Sequence, residues 1–297
     1  MKKLLLVSTL CATAFSAQSQ IFTNDKDFII EVAGAVTAHI IDDTPDGSPL
    51  TLKVTDAYFN FKPTYTLDND MVVYSDLKLQ SFTNGSTDLS EGYVGIDYND
   101  FSLTAGKHSY ASGAFGISRS KTFGPSSSLG ETSGQEVLKV AYTKEKFNAA
   151  VSYDFADHDT DRSSFDMYFT GLLGDFDAAG TFQVQKANAA TDTVFYFGYS
   201  AYYTLEKFYV GGSFSMDTTT DNNLSVIEFA SALSITDKIT VGGGVGQIIP
   251  EEGDVELLIY ANSEYALHKE ITAYTEAGIS TQESAELGLA VGLTVIF

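Results

Sequence analysis

The 297-residue sequence contains a single cysteine, Cys11, no tryptophan and only five prolines. A lone thiol cannot form an intrachain disulfide, so no disulfide framework holds the fold together. No proline-rich or low-complexity linker divides the chain, which predicts one domain. Basic residues are also few, with 17 Lys and Arg against 39 Asp and Glu. So acidic a chain repels nucleic acid and attracts cations, and we expect no nucleic-acid partner.

The amino-terminal segment is too short to be a membrane-spanning helix. Two lysines precede an apolar run from Leu4 to Phe15, and small residues follow up to Ser19. This order is typical of a secretory signal peptide, whereas a helical span needs about 20 apolar residues. Cys11 follows a leucine, which is unlike a lipoprotein signal. We therefore expect residues 1–19 to be a signal peptide and residues 20–297 to be the mature protein, with 15 basic and 39 acidic residues and a net charge of −24.

Beyond this segment no stretch keeps a helical period, while two-residue alternation recurs along the whole chain. Apolar side chains occupy the odd positions from Phe147 to Phe155, and polar or small ones lie between them. The carboxy-terminal stretch shows the same pattern, with large apolar residues at Leu287, Leu289, Val291, Leu293, Val295 and Phe297. Each such segment predicts a strand with one apolar face. The content of 25 Gly, 17 Tyr and 21 Phe also favours strands.

Polar breaks between the predicted strands are alternately long and short. Together they divide the chain into about sixteen strands. The longest break runs from about Ser109 to Gln135. A soluble β-sandwich would also show alternation, but it requires neither alternating loop lengths nor strands of about ten residues. An outer-membrane barrel requires both, and its closure leaves no unpaired backbone edge in lipid. The sequence therefore predicts an all-β fold, a transmembrane antiparallel barrel of about sixteen strands with long external loops and short periplasmic turns.

Three segments resemble the Gram-negative general diffusion porins: "EGYVGIDYNDFSLTAGKHSYASGAFG", "VLKVAYTKEKFNAAVSYDFAD" and "YFGYSAYYTLEKFYVGGSFSM". The resemblance implies a sixteen-stranded homotrimer in the bacterial outer membrane, in contact with lipid and lipopolysaccharide. It also implies that the third loop, about residues 109–135, folds into the lumen and narrows the channel. Phe297 resembles the terminal aromatic residue that the outer-membrane barrel assembly machinery recognises in this family, and we interpret it as an assembly signal.

Acidic residues outnumber basic ones on the faces expected to line the lumen. With the apolar faces toward lipid, the inward set comprises Glu31, Asp76, Asp154, Asp166, Asp177, Glu228, Glu256, Glu264, Glu276 and Glu286 against Lys78, Lys139 and Lys207. For Asp177, Glu256 and Glu286, solvated charge near a strand end is an equally good interpretation. Wall charges act across a narrow constriction, because the Debye length is about 8–10 Å near physiological salt. We therefore expect the channel to prefer cations.

The long loop differs from the charge pattern that the resemblance implies. Porins of this type place acids on the loop opposite basic residues on the wall, but this loop carries Arg119 and Lys121 with Glu131 as its one acid. Both basic residues could also be flexible loop charges. Lys107 matches a pore-lining basic position of the family, although simple alternation from Phe101 directs it outward. The candidates for the pore constriction are Glu31, Asp76, Lys78, Lys107, Arg119, Lys121 and Glu131.

The predicted function is a water-filled channel for passive diffusion of small hydrophilic solutes and ions. A substrate-specific porin is the alternative, because tyrosines of inward parity could bind oligosaccharides by stacking. These tyrosines are Tyr74, Tyr93, Tyr168, Tyr196, Tyr202, Tyr209, Tyr260 and Tyr274.

An outer-membrane barrel enzyme of the phospholipase or protease type has less support. Its catalytic Ser–His or Asp–His arrangement would need histidines close together. His39, His108, His158 and His268 instead lie on different hairpins. We predict no catalytic residue, no cofactor and no metal site, although the acidic loop "DHDTDR" could be either a calcium ligand set or a solvated loop.

Overall fold

The computed structural model describes residues 20–25, 27–43, 49–67, 69–81, 87–125, 130–155, 163–173, 175–186, 193–218, 223–282 and 285–297. These residues form seventeen β-strands and one short 3₁₀ turn, Ala111–Ala114. The strands are β1 Gln20–Asp25, β2 Phe28–Asp42, β3 Thr51–Thr66, β4 Val72–Ser81, β5 Thr87–Tyr98, β6 Phe101–Ser109, β7 Ser133–Lys144, β8 Phe147–Asp154, β9 Ser163–Leu173, β10 Phe176–Lys186, β11 Thr193–Leu205, β12 Phe208–Asp217, β13 Leu224–Ser234, β14 Ile239–Pro250, β15 Glu256–His268, β16 Ile271–Ser280 and β17 Gly288–Ile296. Within the described residues, no helix is long and apolar enough to cross a membrane.

Strands β2 to β17 form a closed antiparallel barrel of sixteen strands. Each pairs with its neighbours in chain order, and β17 pairs back with β2 from Leu289 opposite Asp42 to Ile296 opposite Ala35. Connections of two residues, such as 99–100 and 145–146, join strands at one end of the barrel, and the long third loop lies at the other. The predicted fold class and strand number are thus confirmed.

One strand outside the barrel count, β1, was not predicted from the sequence. It pairs with the first half of β2, and Gln20 lies opposite Val32. Phe297 exchanges both backbone hydrogen bonds with Gly34, at 2.6 and 2.8 Å. Strands β1 and β17 therefore occupy successive parts of the same edge of β2. Alternation did not predict β1, because its six residues are too few to show a clear period of two.

The apolar faces of the strands are directed outward. In β17, Leu289 is 49% exposed, whereas the neighbouring Ala290 is 1% exposed. Aromatic rings pair on the outer face near the short turns, for example Phe101 with Tyr142, whose centroids are 4.9 Å apart. An exposed apolar band flanked by aromatic rings is the surface that a lipid bilayer requires.

Gly34 provides the space in which the Phe297 ring lies at the seam of the barrel. A Cβ atom at residue 34 would overlap the Phe297 ring and would lie 2.7 Å from the Tyr58 backbone oxygen. The ring could move aside, but the backbone of β3 is fixed by its pairing with β2. A glycine is therefore required at this point for β17 and β3 to approach β2 from both sides.

We expect Gly34→Val to destabilise the folded barrel by about 1–3 kcal/mol, because the added side chain overpacks the seam. The measurement is the temperature at which the folded form, resolved by electrophoresis in detergent, converts to the unfolded form. Ala38→Val, on the same strand and at the same parity, is the matched control. Equal conversion temperatures for the two variants would contradict the proposed role of Gly34.

Candidate functional site

The long segment after β6 runs along the inner face of the barrel wall. At its start, the Tyr110 hydroxyl donates to Asp154 at 2.6 Å, and the Ala111 N–H donates to the Ser152 hydroxyl at 3.1 Å. Burial and the bond to Asp154 raise the pKa of Tyr110, so its hydroxyl remains a donor. The 3₁₀ turn then brings the Ser112 N–H and hydroxyl to Asp166 at 2.8 and 2.5 Å.

The middle of the loop is held by strands on the next part of the wall. Ile117 packs in a buried cluster with Tyr209 and Ala230, and its carbonyl accepts a hydrogen bond from the Tyr209 hydroxyl at 3.3 Å. The Arg119 N–H donates to the Tyr260 hydroxyl at 3.2 Å. The Arg119 carbonyl accepts from the Asn262 side chain at 2.7 Å. The backbone of Arg119 is thus fixed on both sides.

Glu276 on β16 accepts four hydrogen bonds from the next turn of the loop. Glu276 is 2% exposed, and its carboxylate accepts from the Ser120 hydroxyl at 2.6 Å. It also accepts from three consecutive backbone N–H groups, at 2.6, 3.0 and 2.7 Å, which belong to Lys121, Thr122 and Phe123. Consecutive N–H groups directed at one anion form a nest, an arrangement that stabilises negative charge.

The far end of the loop is anchored by apolar contacts. Phe123 forms a buried cluster with Ile41, Tyr260 and Ala290, which belong to β2, β15 and β17. Among the described residues, no hydrogen bond joins segment 110–125 to β3, β4 or β5. The loop therefore lies against the wall from β8 round to β2 and leaves the wall at β3 to β5 uncovered.

The uncovered wall carries charges of alternating sign. Glu31 on β2 lies opposite Lys62 on β3, and Lys78 on β4 forms an ion pair with Glu91 on β5 at 3.7 Å. Asp76 lies between these pairs and is 8% exposed. The two lysines also lie over tyrosine rings, at 4.7 Å from the centroid of Tyr74 and 4.8 Å from that of Tyr58. These contacts hold the amino groups close to the wall.

The predicted constriction candidates divide between the two sides of the lumen. Asp76 and Lys78 lie on the uncovered wall and Glu31 lies beside it on β2, while Arg119 and Lys121 lie on the loop.

Lys121 forms an ion pair with Glu264 at 3.2 Å. Its side chain also lines a cleft of about 250 Å³ together with Thr55 and Tyr58. The Lys121 side chain therefore extends from the loop toward the edge of the uncovered wall at β3.

Two candidates lie apart from this arrangement. Glu131 is at the return of the loop, where its carbonyl accepts from Gln183 at 3.0 Å. Lys107 keeps the outward parity of Phe101. The ring of the next residue, His108, stacks on the ring of Tyr93, and the two centroids are 3.9 Å apart. The structure thus does not bring Lys107 to the inner wall with the others. The acidic loop considered as a calcium ligand set lies outside the described residues.

Sequence reasoning missed two residues of the lumen. Lys62 was overlooked, although the outward Phe59 and Phe61 on either side of Asn60 indicate the inward parity of Lys62. Asn262, which binds the Arg119 carbonyl, was also missed. Its parity could be inferred from alternation, but its partner on a loop more than a hundred residues away could not.

A family model described as "Gram-negative porin" matches residues 6–284, nearly the whole chain. The chain belongs to the Gram-negative porin family. A search of curated protein sequences finds no significant match. As a member of this family with a closed sixteen-stranded barrel, the protein is an outer-membrane porin, and the resemblance expected from the sequence is confirmed.

Solved structures show that the porin shares its fold with distant proteins. A loop-deletion mutant of OmpT, an outer membrane protein of Vibrio cholerae, has a TM-score of 0.81 at 15% identity, covering 92% of this chain and 100% of that chain. The trimer form of in-vitro folded OmpT has a TM-score of 0.77 at 15% identity, with the same coverage. The anion-selective porin from Comamonas acidovorans has a TM-score of 0.77 at 12% identity, covering 91% and 100%.

We expect Glu276→Gln to loosen the loop of the porin, because an amide cannot accept as many N–H donors as a carboxylate. The NH2 group that replaces Oε2 cannot accept from the Lys121 N–H or the Asn262 side chain, and the remaining bonds lose the carboxylate charge. A hydrogen bond to a charged group contributes about 1.5–3 kcal/mol. Single-channel recording should show larger fluctuations in open-channel current than the wild type. Glu256→Gln is the control, because Glu256 accepts from Ser280 and Gln282 away from the loop. Identical noise in the two variants would argue against Glu276 as the anchor.

Proposed function

We propose that the porin forms a water-filled channel for the passive, non-saturable diffusion of small hydrophilic solutes and ions. The observation that carries this proposal is the asymmetric course of the loop. It is bound along the wall from β8 round to β2, while β3 to β5 receive none of its hydrogen bonds among the described residues. A lumen narrowed from one side would remain a continuous aqueous path along the uncovered wall. The loop would then form one half of the constriction and Asp76, Lys78 and Glu31 the other.

The membrane setting follows from the same architecture. We propose that residues 1–19 are removed as a signal peptide on export and that the long loops lie outside the cell. We further propose that the barrel assembles as a homotrimer, in contact with lipid and lipopolysaccharide. The trimer form of OmpT, which shares the fold, supports this oligomeric state by analogy.

Cation preference is the finer part of the proposal. It rests on the excess of acidic over basic side chains, both on the mature chain and among the inward positions. Asp166, Glu228 and Glu276 are each at most 2% exposed, because the loop covers them. Their charges still contribute to the potential in the lumen. The exposed charges of the uncovered wall are nearly balanced, so the preference would be modest and would come from the whole barrel.

We expect a wild-type channel to show a cation-selective reversal potential across a potassium chloride gradient. Asp76→Asn should reduce the preference, because it removes a negative charge from the wall beside Lys62 and Lys78. Asp237→Asn is the charge-matched control, since Asp237 lies in the exposed turn between β13 and β14. An anion-selective wild-type channel would refute the electrostatic proposal, and equal shifts in both variants would remove the special role of Asp76.

We also propose that the protein is not an enzyme. The Ser109 hydroxyl, which is adjacent to His108 in sequence, donates to Glu91 at 3.1 Å and not to a histidine. His39 bonds to the Tyr274 hydroxyl at 2.7 Å on the opposite side of the seam. These pairings lack the serine–histidine contact that nucleophilic catalysis requires. His158 lies outside the described residues.

Phe297 supports a proposal about assembly by the outer-membrane barrel assembly machinery. Removing this residue should lower the amount of protein in the outer membrane, because a recognition feature is lost. The purified variant should still refold in detergent, since β17 keeps its pairing with β2 and β16. The measurement is immunoblotting of outer-membrane fractions, with Phe297→Tyr as the aromatic control. Normal membrane levels of the deletion variant would disprove the proposal.

A further inference from the structure

Arg119 differs from Lys78 and Lys121, because among the described residues it has no ion pair with a carboxylate. Its guanidinium lies 3.9 Å from the centroid of the Tyr209 ring, and the residue is exposed. Lys121 and Lys78 are paired with Glu264 and Glu91, respectively. Among the described residues, no carboxylate forms an ion pair with Arg119. Since the loop backbone is bound on both sides of Arg119, the positive charge has a fixed position in the lumen.

A second tyrosine, Tyr202, lies beside the ring on which this guanidinium stacks. The ring centroids of Tyr202 and Tyr209 are 5.5 Å apart, and both side chains lie close to Gly211. A Cβ atom at Gly211 would be 2.9 Å from the Tyr202 Cβ and 3.0 Å from the Tyr209 hydroxyl. The missing side chain allows the two tyrosines to approach each other. Asp177 lies directly opposite Tyr202 in the strand register and adds an acceptor beside it.

These groups have complementary chemistry. A guanidinium binds a carboxylate through two parallel N–H donors. The Tyr209 ring behind it holds the guanidinium plane, while the partly exposed Tyr202 ring offers a face for the C–H side of a sugar. Asp177 accepts hydrogen bonds from hydroxyl groups. The fixed positive charge of Arg119 matches a ligand that carries one negative charge.

We propose that Arg119, Tyr202 and Asp177 form a solute site for sugar acids, with the carboxylate on Arg119, the sugar ring on Tyr202 and ring hydroxyls on Asp177. This inference rests on the proposed channel function and adds a solute class to it. Small cations would pass along the uncovered wall, whereas a sugar acid would pause at the loop. Neutral sugars lack the group that Arg119 binds, and simple carboxylates lack the ring.

The test uses the full-length purified porin in planar lipid bilayers at low salt. Glucuronate, glucose and acetate are added separately, and the concentration for half-maximal current block is measured for each. Glucuronate should block saturably at a concentration at least about tenfold lower than glucose, as expected for a charge-assisted bidentate contact. Acetate should give no saturable block in the same range.

Variants separate the charge from the ring. Arg119→Gln should raise the half-blocking concentration of glucuronate about tenfold or more, and Arg119→Lys should have an intermediate effect. Tyr202→Leu should weaken the block by glucuronate and by glucose in similar proportion, about threefold to tenfold. Lys121→Gln, which removes the same charge from the same loop, should change the glucuronate block by less than about threefold, because its partner is Glu264.

The outcomes distinguish this inference from the function on which it rests. Channels that conduct ions but are blocked equally by glucuronate and glucose would overturn the sugar-acid site and leave the diffusion channel intact. The same conclusion would follow if Arg119→Gln and Lys121→Gln had equal effects. A wild-type chain that forms no channels at all would instead refute the proposed function.

Discussion

The arrangement of the lumen depends on one buried carboxylate. Glu276 gathers a serine hydroxyl and three consecutive backbone N–H groups of the loop, and Asn262 contacts the same carboxylate at 3.3 Å. A loop of this length would otherwise have many conformations, because its own backbone forms little regular structure. Fixing residues 120–124 at this point determines where Arg119 lies on one side and Phe123 on the other. The N–H groups of the turn stabilise the negative charge of Glu276, and the carboxylate holds the turn in this conformation.

The same principle applies along the rest of the loop. Asp154 and Asp166 accept donors from Tyr110 and Ser112, while the Tyr260 hydroxyl donates to Glu228 at 3.2 Å. Burying an ionised carboxylate is costly unless hydrogen bonds replace its water. The loop supplies several of these donors, and the wall supplies acceptors for backbone groups that would otherwise lack partners. Acids that face inward thus serve as attachment points for the loop as well as sources of potential.

The alternation of the sequence predicted most of the fold, because lipid and water on opposite faces impose a period of two on every barrel strand. Strand β17 is an example: Leu289 and Val291 face outward, as expected from the sequence. The same parity placed Glu276 and Asp166 inside. It could not show that the loop covers them, since that depends on contacts between residues 112 and 166, or 120 and 276, which no local pattern encodes.

Other differences also have physical causes. Between β2 and β3 the register shifts by one residue between Ala35 and Thr37, so one strand gains a residue that simple counting does not reveal. The segment that forms β1 is too short for its period to be recognised. Arg119 and Lys121 were equivalent in the sequence, and only the tertiary structure gives one a carboxylate partner and the other a tyrosine ring.

The division of the wall into a covered and an uncovered part has a consequence for evolution. A substitution at Glu276 or Asp166 disturbs the path of the loop, so changes there must be matched by changes in a distant segment. A substitution at Glu31, Lys62 or Glu91 alters the charge of the aqueous path without such a requirement. Ion preference can therefore diverge through single steps on β2 to β5 while the barrel persists. This is compatible with an anion-selective porin that shares the fold at 12% identity.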